Sequence, residues 1–448
     1  MSKSHKSQLE DFSIRTVPIE ERKIHSMSLL QAVLGLFLYP HCLLEGALVA
    51  GMDFQSAVLA AVFGMLILAI LGFFQGWMGA KYGVSTTMLT RQAFGRYGAN
   101  LFGILLALTM GIGWFGWQIA FFGMTIAEMF PNQWFAEPKI AMVWGGGILM
   151  ILTAFIGYKG LSTLSMIAVP LVAILSIWGG LAEAVNHLGS WEALLSTKPT
   201  GEPLSIFAGI TIVVGNAAAG AVVFADVTRY GKTAAKGGFG GAAVGYFLGG
   251  VFCVIAGAAM TLAAQVPTIG STPNIPAAMS QIGLGFFAFL ILVFAQWTTN
   301  DNNLYTGSLG LRNVVNLSKT VIVIVLGVLG LGIALIGIQD YFVPFLNALG
   351  TYVPPIAGVM IADHWIVKPK ILHKSYQFGE GTKYAKWNVA AIIATVVAGI
   401  IGSRLMFGIT AINSIVIGFV LYVIIAYLLT KWNIQFEIGE KSEESNGF

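Results

Sequence analysis

Twelve apolar runs, each about 20 residues or longer, decide what this chain can fold into. They lie at 27–50, 56–79, 99–130, 140–158, 163–185, 204–226, 241–265, 284–312, 319–338, 341–362, 387–406 and 410–430. A run of that length spans the hydrocarbon of a bilayer as a helix, because only a helix satisfies its own backbone there. Charge is too scarce for a soluble surface. Charged residues make up 10% of the chain and hydrophobic ones 56%, with mean hydropathy +0.80. A soluble domain carries about 25% charged residues. The expected class is therefore an all-α polytopic membrane protein.

Lysine and arginine fix the expected orientation. With the N-terminus in the cytoplasm, 21 of the 24 fall in inner loops or tails, leaving Lys139, Lys198 and Arg404 outside. Both termini are then cytoplasmic. The net charge of +4 is spread over loops, so nucleic acid is not an expected partner. Cys42 and Cys253 lie inside apolar runs and read as buried thiols. The first 25 residues lack an apolar core, which predicts no cleaved signal peptide. A long inner loop after the tenth span divides the chain. The expected segments are 1–26 (cytoplasmic), a ten-helix core at 27–362, two accessory helices at 387–430 and a tail at 431–448. Halves 27–185 and 204–362 hold five spans each, so they enter the membrane from opposite sides, as an inverted repeat requires.

Interrupted helices point to the expected site. The first span contains Gly35, Pro40 and Gly46; Pro40 frees carbonyls near Gly35 to Tyr39 that a bound cation could satisfy. The sixth span centres on "GNAAAG", Gly215 to Gly220, which predicts a break at Gly215 and Asn216 or, equally, tight helix packing. Glu45 is either a functional intramembrane acid or a group reaching water at the outer interface. His41 either packs or relays a proton. In "GIGWFGWQ", Trp114 and Gln118 share a helix face, with Gly111 one turn earlier leaving room beside the indole. An indole and an amide suit a flat heterocycle; core packing is the competing reading.

The eighth span ends in "FAQWTTNDNNLYTG". Ala295, Thr298 and Thr299 fall on one helical face, and two hydroxyls with a carbonyl are hard ligands suited to an alkali cation. Asn300 points about 100° away. Asp301 to Asn303 are expected near the cytoplasmic end of the span. A wet helix terminus would explain Asn302 and Asn303.

"GWFGWQ", "ADVTRYGK", "WTTNDNNLYTGSLGLRN" and "MGAKYGVSTTMLTRQAFG" resemble the nucleobase:cation symport family, nearest its bacterial cytosine permease branch. The likeness runs through spans 1 to 10. It implies a LeuT-type fold of five plus five inverted helices with two added at the C-terminus. It also implies alternating access with Na⁺ or proton coupling. By motif, Trp114 resembles the stacking tryptophan and Gln118 the hydrogen-bonding amide. Gly215 and Asn216 resemble the segment offering groups to the base, and Asn300 a substrate or site-organising amide. Thr298 and Thr299 resemble sodium-ligating hydroxyls, joined by carbonyls of Ala295, Gly35 and Leu38. Two departures stand out: Ala217 replaces a second stacking aromatic, and "YPHCLLEG" replaces a run of small residues. They extend the expected substrates to larger or cationic heterocycles.

The expected function is Na⁺-coupled import of a nucleobase-like heterocycle (cytosine, purine or related pyrimidine). The expected setting is a bacterial inner membrane, as a monomer with no resident cofactor. The rival is proton-coupled symport of another heterocycle, such as a vitamin precursor or hydantoin, through Glu45 or His41. A membrane enzyme is disfavoured: six histidines form no HExxH motif, and there is no nucleotide-binding glycine loop.

Overall fold

The computed structural model describes residues 15–27, 46, 51–156, 170–171, 173–199, 203–231, 240–266, 273–312, 314–379, 382–405, 407–439 and 441–442. Eleven apolar helices follow one another through them. They are α1 Phe54–Tyr82, α2 Thr86–Met129, α3 Pro138–Ala154, α4 in two stretches, Leu175–Glu183 and Ala184–Leu188, and α5 Ile206–Thr228. There follow α6 Gly240–Ala264, α7 Phe286–Arg312, α8 Lys319–Leu335, α9 Ile338–Ile371, α10 Val389–Arg404 and α11 Thr410–Lys431. Six of them (α1, α2, α5, α6, α9 and α11) are long and apolar enough to cross a membrane. Two-residue strands β1 Lys383–Tyr384, β2 Trp387–Asn388, β3 Glu437–Ile438 and β4 Lys441–Ser442 pair antiparallel as β1 with β4 and β2 with β3. The first expected span lies outside the described residues except for Gly46 and Met27. Cys253 is buried; Cys42 lies outside the described residues.

Local chemistry sets the helix ends. Asp53 caps α1, its Oδ1 accepting the Ser56 amide at 2.9 Å, and Gly83 ends α1 in the left-handed region at φ 66°. Ser85 caps α2. The stretch 80–98, expected as an inner loop, is mostly helical: α2 begins at Thr86 and turns sharply at Gly95 (φ 79°, ψ 171°) before running on to Met129. A Cβ at Gly95 would also lie 2.8 Å from the Lys386 carbonyl, so glycine is required twice over.

Small residues bring the helices together, as expected where lipid supplies no hydrophobic drive between them. In one group α1 packs on α5 and α6, with Gly79 against Ala225 and Gly64 against Val213. In a second, α2 packs on α7 and α8, with Gly111 facing Gly307, Gly103 facing Gly310 and Gly116 facing Gly330. In a third, α11 packs on α9 and α10, with Gly358 against the Ile415 carbonyl. Large apolar residues such as Phe63, Ile70, Val328, Val396, Ile400 and Ile424 point outward. Such a surface belongs in lipid.

Two sequence expectations are corrected by this packing. Helix α5 is continuous through Gly215 and Asn216; it turns at Val223, seven residues later. A Cβ on Gly215 would meet the Leu346 carbonyl at 2.0 Å, and one on Gly350 would meet the Thr211 carbonyl at 2.7 Å. The small residues therefore let α5 touch the N-terminal half of α9. Gly111 likewise abuts Leu326 and Gly307, so it makes room for helices and not for a ring beside Trp114. Gly215→Val should force α5 and α9 apart and cost about 1–3 kcal/mol, as overpacking does. Thermal unfolding of the purified variant checks this; an unchanged midpoint would show the contact is loose.

Candidate substrate and cation site

The turn of α2 from Ala107 to Trp114 is wound as a π-helix, a feature that often marks functional sites. It ends on Trp114. Trp114, Trp117 and Gln118 follow within one helical turn and all are buried. Trp114 meets Trp117, Phe342 and Phe345 edge-on, with centroids 6.1, 6.1 and 5.3 Å away. Trp117 stacks on Phe342 at 4.2 Å and 20°. Phe342 and Phe345 come from the N-terminal half of α9, which is broken from its C-terminal half at Val353–Pro354–Pro355. Two aromatics of α9 thus enclose the tryptophan pair.

Gln118 is 0% exposed, and neither atom of its amide has a hydrogen-bond partner among the described residues. A buried polar group left unpaired costs about 1–3 kcal/mol. Asn216 is also buried, on α5.

Helix α7 is pinned through its polar run. Gln296 Nε2 donates to Thr125 Oγ1 of α2 at 2.8 Å, and Asn300 Nδ2 to the Phe115 carbonyl of α2 at 3.2 Å. Trp297 Nε1 donates to Thr153 Oγ1 of α3 at 2.8 Å, and that hydroxyl donates to Asp301 Oδ1 at 2.9 Å. Asn300 thereby ties α7 to the residue next to Trp114, while its buried Oδ1 has no hydrogen-bond partner among the described residues. Asp301 was expected near the cytoplasmic end. It is instead 5% exposed and midway along α7, a buried intramembrane acid. Thr153→Val removes the bridging hydroxyl from both Asp301 and Trp297. We expect about 1–3 kcal/mol of lost stability in thermal unfolding; a midpoint equal to wild type would mean the bridge holds nothing.

Three of the five expected cation ligands, Ala295, Thr298 and Thr299, sit on one turn of α7. The Thr298 and Thr299 hydroxyls both donate to the Ala295 carbonyl, at 3.0 and 2.8 Å. With their protons directed there, the oxygen lone pairs are available to a cation, and three hard oxygens fit Na⁺ chemistry. At about 100° per residue, Thr298 and Thr299 lie within about 60° of Ala295. On the same measure the pinned residues Gln296, Trp297, Asn300 and Asp301 lie about 100–240° away. The hydroxyl face is thus turned from α2 and α3. Gly35, Leu38, His41 and Glu45 lie outside the described residues.

Trp117, Phe342 and Phe345 were not singled out from the sequence. Trp117 adjoins Gln118 in "GWFGWQ" and was visible; the two phenylalanines join the site only through the docking of α9. A pair of cavities lies away from this centre. One, of about 700 Å³, is lined by Trp134, Lys139 and Trp144, and one of about 550 Å³ by Lys81, Tyr82 and Tyr376.

Lipid-facing helices around a buried centre of tryptophans and amide side chains define a multi-pass membrane protein of the permease class. The chain belongs to the family of permeases for cytosine/purines, uracil, thiamine and allantoin, whose model matches residues 16–429. It is 32% identical over 429 residues to the cytosine permease of Escherichia coli (strain K12), covering 95% of this chain and 96% of that protein. It is 25% identical over 367 residues to the allantoin permease of Bacillus subtilis (strain 168), covering 73% and 72%. Among solved structures it resembles Mhp1, a nucleobase-cation-symport-1 family transporter solved closed with bromovinylhydantoin bound. The TM-score is 0.76 at 19% identity, covering 95% and 96% of the two chains.

Proposed function

We propose that the protein is a secondary importer of a nucleobase-like heterocycle (cytosine, a purine or a related pyrimidine) driven by Na⁺. The observation that carries this reading is the unpaired, fully buried Gln118 amide one turn from Trp114. The ring would lie against the indole and the amide would read its polar edge. The family and the cytosine permease relative support the substrate class. Ala295, Thr298 and Thr299 would bind the ion, with Gly35 and Leu38 completing the set from the first span. Cation and substrate need not touch; each need only favour the same closed state for their binding to be coupled. Gly215 would support the site by packing α5 on α9, and Asn216 would add an amide.

The same reading takes the chain as twelve spans. The segments 27–185 and 204–362 form an inverted repeat, with 1–26 and 431–448 cytoplasmic in a bacterial inner membrane. One monomer carries one complete site. Uptake into proteoliposomes tests the proposal, with radiolabelled cytosine, adenine, uracil, allantoin and a hydantoin. Accumulation of one of them under an inward Na⁺ gradient, lost in sodium-free buffer at constant pH, is expected. Uptake that ignores sodium and follows a proton gradient would overturn the Na⁺ assignment. No uptake of any of them would overturn the substrate class.

A further inference from the structure

We propose that the C-terminal strand β3 braces the cytoplasmic hinge of α2, with Glu437 as the positioning residue that holds the brace. The chain of contacts is continuous. The Glu437 carboxylate, 8% exposed, pairs with Lys368 at the inner end of α9 and with Lys374 at 3.3 Å. Its strand lies against β2 in the register Asn388 with Glu437 and Trp387 with Ile438. Backbone bonds Lys386 N to Ile438 O (2.8 Å) and Val389 N to Phe436 O (3.1 Å) complete the attachment.

The segment so held is the one that grips the hinge. The Arg96 and Tyr97 amides, just past Gly95, donate to the Ala385 and Lys386 carbonyls at 2.8 and 2.9 Å. Asn388 Nδ2 donates to the Ala93 carbonyl at 2.8 Å, just before Gly95, and also to the Tyr422 hydroxyl at 2.8 Å. Tyr422 of α11 and Tyr376 both donate to the buried Asp363 at the inner end of α9. Burial and the adjacent Asp363 hold the Tyr376 phenol well above its ordinary pKa, so it keeps its proton and donates. Both sides of the α2 bend are therefore tied to one loop, and that loop is tied to the tail.

The consequence reaches the site because α2 is one helix from Gly95 to Trp114 and Gln118. Lys368 is 7% exposed and also faces the charge of the buried Asp363, so removing the Glu437 charge unbalances a buried cluster of charges instead of a simple pair. The last two accessory helices and the tail thus set the angle at which the substrate-carrying helix leaves the cytoplasmic face.

Amide hydrogen exchange on the full-length protein tests the brace with Glu437→Gln, the paired variant Lys368→Met with Glu437→Gln, and Gly439→Val. The last distorts the strand (Gly439 has φ 70°, and a Cβ would sit 2.9 Å from Lys386) without touching the ion pair. We expect roughly tenfold faster exchange at 95–98 and 385–390 in Glu437→Gln and Gly439→Val. We also expect faster exchange at the Ala107–Gln118 turn, and slower exchange in the paired variant than in Glu437→Gln alone. Uptake of radiolabelled cytosine should then show lower Vmax at unchanged KM in the first two and recovery in the pair. Faster exchange confined to the tail, with 95–98 and the Ala107–Gln118 turn unchanged, would overturn the proposal. The transport arm rests on the function proposed above. If wild type takes up no cytosine, that reading fails on its own and the exchange data still decide the brace.

Discussion

Replacing Trp114 by alanine is expected to weaken heterocycle binding by about 5- to 150-fold, because aromatic stacking on a base contributes about 1–3 kcal/mol. Trp114→Phe retains a ring and should recover part of the loss. Gln118→Leu makes the companion case, and it separates function from packing by sign. Removing a buried amide that has no partner among the described residues should raise the thermal midpoint or leave it unchanged, since its desolvation cost of about 1–3 kcal/mol disappears. Ligand binding should fall in the same variant. Equilibrium binding and thermal unfolding of each purified variant check the pair. Wild-type affinity in both would show that the tryptophan and the amide are core residues. A destabilised Gln118→Leu with unaltered binding would assign the amide to structure alone.

The second large effect concerns Thr298 and Thr299. If their hydroxyls hold Na⁺, the double alanine variant should lose the sodium enhancement of ligand affinity, typically about 5- to 150-fold for coupled sites. Affinity without sodium should change little. Double replacement by serine keeps both oxygens and should keep the enhancement. Their bonds to Ala295 are local to one helix turn. The alanine variant is therefore expected to fold, and its unfolding midpoint confirms that before binding is measured. Sodium enhancement equal to wild type would remove both residues from the ion site.

Much of this fold was legible because lipid imposes a simple rule, and runs of apolar residues obey it. Helices α1, α6 and α11 fall where those runs lie. Periodicity also placed Ala295, Thr298 and Thr299 together, since a helix face needs only local spacing. What could not be read depends on neighbours. The glycines at 111 and 215 have the same signature whether they open a pocket or admit another helix, and only docked helices showed the latter. Asp301 looked like a wet terminus because polar residues follow it, yet α7 continues to Arg312 and buries it. Phe342 and Phe345 gain their role from the break in α9, which the sequence marks with two prolines but does not aim.

The proposed transport cycle requires a desolvated sodium ion held by the α7 hydroxyl face and coupled to a flat solute at Trp114. Equilibrium binding of radiolabelled sodium to the purified protein, with and without each heterocycle of the uptake panel, tests it most directly. We predict saturable binding that one of these solutes tightens and that the double alanine variant at 298 and 299 lacks. Sodium binding that is absent, or that persists undiminished in that variant, would contradict it.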